Sequence, residues 1–280
     1  MQMAKVFGLM TVMTVIFVIA GDFIGGSSMA GGFFAISMFM NLWAFWFSDR
    51  AVLKMYRAQE IGLEEAPKLY NMVDRLRQKA DLPMPRIAIA PERQPNAFAT
   101  GRNPENSVVC VTAGLMEELN ERELEGVIAH ELAHIKHRHM LVGTIAAGMA
   151  GAIALVGSIL RWGIILGSRG NRDDNPLAML AMALVAPIVA VIVQMAVSRQ
   201  NEFQADATAV RIMGDKRGLQ SALQRIEVIA RKVPMNVSPA GAHMAIINPF
   251  SSGRGVALAG LFRTHPPTEA RIQAIDKVVL

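Results

Sequence analysis

The sequence predicts a mainly helical α+β fold in a multi-pass membrane protein, and three observations predict it. Four uncharged apolar runs are long enough to serve as membrane spans, a polar stretch between the second and third holds short extended segments, and apolar residues elsewhere recur at helical spacing. Composition agrees: 52% hydrophobic and 18% charged residues, with a mean hydropathy of +0.32, are too apolar for an ordinary soluble domain.

The 28 Lys and Arg exceed the 23 Asp and Glu. No dense basic run with interleaved aromatics occurs, so nucleic acid is excluded as a partner and the excess reads as topological charge. Cys110 is the one cysteine, which rules out an intrachain disulfide and a thiolate zinc cluster. It lies in the apolar run Val108 to Val111 and reads as a small buried strand residue.

Residues 1–59 read as an N-terminal transmembrane hairpin with spans at about 6–24 and 29–47, built on the runs Val6 to Ala20 and Met29 to Phe47. Val18 and Ala20 ahead of Gly21 also resemble a small-residue cleavage site, so a removed signal peptide is the alternative for the first run. The connector Gly21 to Ser28 carries no Lys or Arg, whereas Lys5 precedes the pair and Arg50, Lys54 and Arg57 follow it. By the positive-inside rule both flanks are cytoplasmic.

Residues 60–139 read as soluble α+β material: a helical pattern from Glu64 to Ala80 stops before Pro83 and Pro85, and extended segments follow at Arg86 to Ala90, Asn96 to Thr100 and Ser107 to Thr112. Asn120 with Glu123 three residues on forms a capping-box signal for a helix running from Glu121 through His139, whose apolar stripe is Leu124, Val127, Ile128 and Ile135. Residues 140–198 read as a second hydrophobic hairpin, with spans at about 140–160 and 177–197. Its flanking charges are mixed, and helices packed partly on protein without crossing the bilayer are the alternative. Residues 199–280 hold a helix from Glu202 to Met213, a second with Leu219, Leu223, Ile226 and Ile229 at helical spacing, a connector from Val233 to Gly255, and a last helix from near Pro267.

His130-Glu131-Leu132-Ala133-His134 falls within the predicted helix 121–139. Four residues on a helix place the two imidazoles on one face, one turn apart, where they can share one metal ion. Glu131 then stands beside the ion, in position to take a proton from zinc-bound water and pass it to a leaving amine, the chemistry of a zinc metalloprotease. Catalytic zinc needs a third protein ligand. An extension of the motif to a Gly and a third His fails, because positions 137 and 140 are His137 and Met140, and an intramembrane site fails because Glu121, Glu123, Glu125, Lys136 and Arg138 surround the motif.

The best remaining candidate is Glu202, with Asp206 one turn later to hydrogen-bond a ligand imidazole. A Glu and an Asp at this spacing are by themselves usually a solvated helix face, but a hairpin returning its exit near its entry brings Glu202 back toward His134. This assignment predicts a zincin-like domain of the gluzincin type. His137 and His139 read as interfacial residues at the end of a span, and His243 is assigned no role. His265, in Thr264-His265-Pro266-Pro267, is a candidate oxyanion stabiliser, and helix capping explains it equally well.

The chain resembles the HtpX family of bacterial membrane zinc metallopeptidases, relatives of the CaaX prenyl proteases. The resemblance covers nearly the whole length and rests on the N-terminal apolar pair, Pro95-Asn96-Ala97-Phe98-Ala99-Thr100-Gly101, the His130 to His134 motif, Ser198-Arg199 leading to Glu202-Phe203 and Ala205-Asp206, Ile246 to Pro249, and Thr264 to Pro267 followed by Glu269, Arg271 and Ile272. It implies one Zn2+ held by His130, His134 and Glu202, with Glu131 catalytic, in a domain facing the cytoplasm from the inner membrane. It also implies endopeptidase activity on misfolded or damaged membrane proteins. The implied partners are polypeptide substrates, chiefly membrane proteins, and the lipid bilayer, with self-association or association with other quality-control proteases left open.

By the same resemblance Asn96, Ala97, Phe98 and Ala99 form an edge strand to which substrate backbone adds. One departure is Asn201, where the family commonly has Arg; it bears on a substrate or interhelical contact and not on the metal. The prenyl-protease relatives have more spans than the apolar runs here, which argues against a prenylated substrate. Two rivals are weaker: a scaffold with a structural zinc makes Glu131 expendable, and a metal transporter needs ionisable residues inside the spans, where these runs have none.

Overall fold

A computed structural model describes residues 2–147, 149, 199–230, 232 and 266–280. His243, His265, the connector 233–255 and nearly all of the second hydrophobic hairpin beyond residue 147 lie outside the described residues.

The N-terminal helix α1 (Gln2–Met55) doubles back on itself. The reversal falls at Gly26, whose φ of +67° is a backbone conformation that residues with a Cβ avoid. Its two limbs lie side by side: the Asn41 amide donates to the Met10 carbonyl at 3.3 Å and to the Thr14 hydroxyl at 3.0 Å, and the Phe17 and Phe33 rings lie 6.2 Å apart. These contacts satisfy a polar side chain that lipid could not. Gln2–Ile19 and Gly26–Met55 are each long and apolar enough to cross a membrane, and only 17% of each window is buried within the protein, which separates them from ordinary core helices.

Beyond α1 the chain forms a sheet of β1 (Gln59–Ile61), β2 (Arg86–Ala90), β3 (Ala97–Gly101) and β4 (Ser107–Thr112), in the order β1-β2-β4-β3. The β2–β4 pair is parallel and the two outer pairs are antiparallel, so β3 is an edge strand. The period of two in a strand divides the side chains between two cores. Ile87, Ala97, Ala99, Val109 and Val111 face a layer of helices, while Ala88, Ala90, Phe98, Val108 and Cys110 face Val52, Leu53 and Tyr56 at the end of α1. Tyr56 packs on Phe98 with ring centroids 4.5 Å apart, joining the N-terminal hairpin to the sheet.

On the first face lie α2 (Pro67–Lys79), α3 (Ala113–Glu118), α4 (Glu121–Lys136), α5 (Arg199–Met213), α6 (Arg217–Ala230) and α7 (Thr268–Asp276). The Asn120 side chain accepts from Glu123 N at 3.0 Å and the Glu123 carboxylate accepts from Asn120 N at 3.1 Å, so the capping box that opens α4 forms as the pattern requires. Gly126 lets α6 approach closely, since a Cβ there would lie 2.7 Å from the Leu219 backbone nitrogen.

Three differences from the sequence reading have local causes. β1 is only three residues long and largely exposed, so it carries no apolar signal. The first helix after it starts at Pro67, whose fixed φ suits a first turn. The metal-motif helix ends at Lys136, because Arg138 adopts φ +57° and breaks it, and helix resumes over residues 139–147.

Candidate metal centre

α4 and α5 build the centre from opposite sides. Leu124, Val127 and Ile128 turn one face of α4 into the core, and the adjoining face carries His130, Glu131 and His134; His130 and Glu131 are buried and His134 is half-buried. On α5 the small residues Ala205 and Ala209 allow close packing, and Glu202 and Asp206, one turn apart, are both buried. The face is therefore not solvated.

The two imidazole Nε2 atoms lie 3.0 Å apart, and Glu202 places one carboxylate oxygen 3.4 Å from His134 Nε2 and the other 3.6 Å from His130 Nε2. One ligand atom from each of these three residues falls within 4.8 Å of the others. Two imidazoles and a carboxylate, all converging on one point, form a donor set that would suit a divalent transition-metal ion.

Each imidazole is held at its other nitrogen. His130 Nδ1 lies 2.9 Å from Asp206 Oδ1, and His134 Nδ1 lies 3.3 Å from His139 Nδ1. Engaging Nδ1 selects the tautomer that leaves Nε2 with its lone pair facing the centre. His139 is buried, and the break at Arg138 turns its ring toward His134, whereas the sequence reading left it at the membrane interface. Burial first, and the charge of His137 second, push its pKa down to about 4, so it is neutral in this role. His137 turns the other way, with Nε2 2.9 Å from the Thr208 hydroxyl and Nδ1 3.3 Å from the Gln204 amide, and is not part of the centre.

Arg271 is the residue that sequence reasoning left without a role. It is buried on α7 and donates two hydrogen bonds to Asp206, from Nε at 2.9 Å and from Nη2 at 2.6 Å, while Nη1 lies 3.9 Å from Glu202. Burial by itself would raise the Asp206 pKa, but the guanidinium overrides it and holds the carboxyl at about 2. Burial and Arg271 disfavour charge on His130, yet its hydrogen bonds to Asp206 and Glu202 outweigh them and push its pKa up to about 9. The carboxylates thus favour positive charge at this position, and a metal ion would bind there by displacing the Nε2 proton. A signal for Arg271 existed in its place after Thr264 to Pro267, but its partners lie 65 and 141 residues earlier, beyond any local pattern.

β3 and the residue before it carry the predicted substrate-binding residues. Thr112 N donates to the Asn96 carbonyl at 2.9 Å, and with Phe98 opposite Cys110 this sets the alternation that directs the backbone groups of Ala97 and Ala99 away from β4. Gly101, next in that series, donates its N–H to the Thr144 hydroxyl at 3.1 Å. Asn96, Ala97, Phe98 and Ala99 lie at the sheet edge as expected, yet all four are buried. Cys110 is likewise buried, and burial pushes its thiol pKa up, so it is an inert core residue.

Comparison with known proteins places this geometry in context. The model of peptidase family M48 matches residues 63–279. A protease HtpX homolog of Pelotomaculum thermopropionicum is 46% identical over 286 residues, covering 100% of both chains. Another, of Gemmatimonas aurantiaca, is 50% identical over 278 residues and covers 99% of both, and a third, of Desulfatibacillum aliphaticivorans, is 51% identical over 270 residues, 94% of this chain and 86% of the relative. The crystal structure of S. mikatae Ste24p has the same fold, with a TM-score of 0.52 at 18% identity; the match covers 98% of this chain and 65% of that one.

Proposed function

Since the chain belongs to peptidase family M48 and is a membrane metallopeptidase, we propose that His130, His134 and Glu202 hold one catalytic zinc and that Glu131 is the general base. The observation that carries this reading is the convergence of both Nε2 atoms and the Glu202 carboxylate within ligand distance of one point. The nitrogen and oxygen donors fit zinc better than calcium or magnesium, which prefer oxygen alone.

The chemistry that a divalent ion held by His130, His134 and Glu202 would supply is polarisation of the scissile carbonyl and acidification of water. The rest of the chemistry belongs to the chain. The Glu131 carboxylate takes a proton from the attacking water and delivers it to the leaving amine nitrogen. Asp206 and His139 hold the ligand imidazoles in one tautomer, and Arg271 keeps Asp206 ionised and fixed. His265, which comes shortly before α7 in the sequence, is assigned on this reading to donate to the developing oxyanion.

Substrate backbone would add to Ala97 and Ala99 at the edge of β3, a mode that binds main chain with little sequence preference. Because that edge is buried, pairing there requires an opening of the site. The substrates on this reading are misfolded or damaged membrane proteins, cut at the cytoplasmic face of the bacterial inner membrane. Support comes from the basic end of the hairpin: Arg50, Lys54 and Arg57 lie at the end of α1 that packs on the sheet, so the positive-inside rule and the position of the metal domain agree.

The test is metal analysis paired with cleavage of an unfolded membrane-protein reporter. Glu131→Gln is expected to retain metal and lose turnover by at least about a thousandfold, and Glu202→Ala to lose the metal. His265→Ala should keep the metal and lose about a hundredfold in kcat. Unchanged turnover in Glu131→Gln would overturn the reading.

A further inference from the structure

Where α1 leaves the apolar hairpin and enters β1, an open surface depression of about 450 Å³ is lined by Arg50, Leu53, Lys54, Arg57, Ala58 and Glu60. Arg50 and Lys54 are four residues apart on α1 and so share a helix face. Arg57 follows in a left-handed conformation, φ +52°, with its N–H bonded to the Lys54 carbonyl at 3.1 Å, which bends the chain so that the third cation joins the other two. All three are exposed.

The acids nearby are already committed. Glu60 and Asp49 both pair with Arg86, and Glu92 takes Arg57 at 2.7 Å. Among the described residues no ion pair engages Arg50 or Lys54; Arg50 lies 5.8 Å from the centre of the Phe47 ring. The lining thus carries three cations against one carboxylate.

The position of the pocket identifies what it would meet. One to two turns earlier on α1, Trp43, Trp46 and Phe47 are exposed, and Arg102 from the β3–β4 connection stacks over Trp46 at 4.9 Å. Exposed tryptophans at the end of an apolar helix mark the headgroup level of a bilayer. The three cations stand just beyond that level, where lipid phosphates lie, and the pocket is open to it.

We infer that this pocket binds the headgroup of an anionic phospholipid, its phosphate held by Arg50 and Lys54 with Arg57 shared between the phosphate and Glu92. The inference rests on the reading of α1 as a membrane hairpin and does not involve the metal centre. Basic clusters at the cytoplasmic ends of spans are suited to such headgroups, because several cations attract one phosphate together.

The experiment uses the full chain. Binding of dioleoyl phosphatidylglycerol to the detergent-solubilised protein is measured by native mass spectrometry against dioleoyl phosphatidylcholine, with inorganic phosphate as competitor. Wild type is expected to prefer phosphatidylglycerol, and Arg50→Gln with Lys54→Gln to weaken that binding about thirtyfold, to the level of phosphatidylcholine. The charge-keeping pair Arg50→Lys with Lys54→Arg should bind as wild type, and inorganic phosphate at equal concentration should not compete.

Equal binding of both lipids by wild type, or an unchanged preference in the double Gln variant, overturns the inference. So does full displacement by inorganic phosphate, which would reassign the pocket to a soluble anion. Retention of wild type in phosphatidylcholine bilayers after an alkaline wash checks the hairpin reading separately. If retention fails, that reading and the inference fall together, whereas retention without lipid preference removes the inference alone.

Discussion

Asp206 acts through the candidate ligand His130. Its carboxylate receives two hydrogen bonds from Arg271 and faces His130 Nδ1 at 2.9 Å, so one buried anion both orients a ligand and absorbs a buried cation. Removing Arg271 would leave that anion without its counter-charge, at a cost of about 3–5 kcal/mol. His139 does the corresponding work for His134 without charge. Asp206→Asn and His139→Phe are each expected to weaken metal binding about 10–100-fold, read by competition with a fluorescent chelator. Metal affinity equal to wild type in either variant would deny that residue its orienting role. The candidate pair of ligands and the candidate base were legible in the sequence because His130, Glu131 and His134 lie on a single turn and need only local geometry. Asp206 was legible by its spacing from Glu202. Arg271 and His139 were not, the first because its partners are remote in the chain and the second because a left-handed residue at 138 redirects it.

At the level of elements, α4 is positioned by its packing on α5 and α6. Gly126→Ala would drive a methyl against the Leu219 backbone, 2.7 Å away, and is expected to destabilise the protein by about 1–3 kcal/mol. Gly8→Ala, where nothing lies within 4 Å, is the control, and thermal unfolding of both variants in detergent makes the comparison. The start of α6 is tied to α4 by Asp215, which accepts from Arg217 N at 3.1 Å and Gly218 N at 3.0 Å and receives two hydrogen bonds from Arg122 at 2.7 and 2.8 Å. Its hydrogen bond from Arg122 holds the Asp215 carboxyl below the usual carboxylate range. A lowered folded pKa means that this stabilisation is complete above the unfolded value and is lost as pH falls below about 4. Asp215→Asn keeps the cap but not the charge, so it should lose part of the acid-side slope of Tm against pH. The difference should be small and shrink in salt, because Arg122 is largely exposed. Helices with a capping box or an apolar stripe were readable in advance, as were three of the four strands. β1 was not, since three exposed residues are recruited to the sheet by pairing with β2 and not by their own pattern.

For the whole molecule, the sheet serves two cores, one shared with the catalytic helices and one with the end of the N-terminal hairpin. Metal bound by residues from both α4 and α5 should therefore stabilise the assembly and not one helix. Chelation is expected to lower stability by about 1.4 kcal/mol for each tenfold by which free metal had exceeded its Kd, read as a fall in Tm. Glu202→Ala should show the lower Tm with or without added metal; a metal-dependent Tm in that variant would mean that Glu202 is not a ligand. The apolar hairpin was legible from composition, because charge-free runs of that length have few other uses. The joining of hairpin to sheet through Tyr56 and Phe98 was not, because neither side chain signals its partner.

The centre draws on α4, α5 and α7, and Arg271 reaches a histidine 141 residues before it. During synthesis the motif on α4 leaves the ribosome long before its counterparts, so a nascent chain carries two histidines and a base with nothing to complete them. Proteolytic competence thus arrives late in translation, after the first hairpin has been made and residue 271 has emerged.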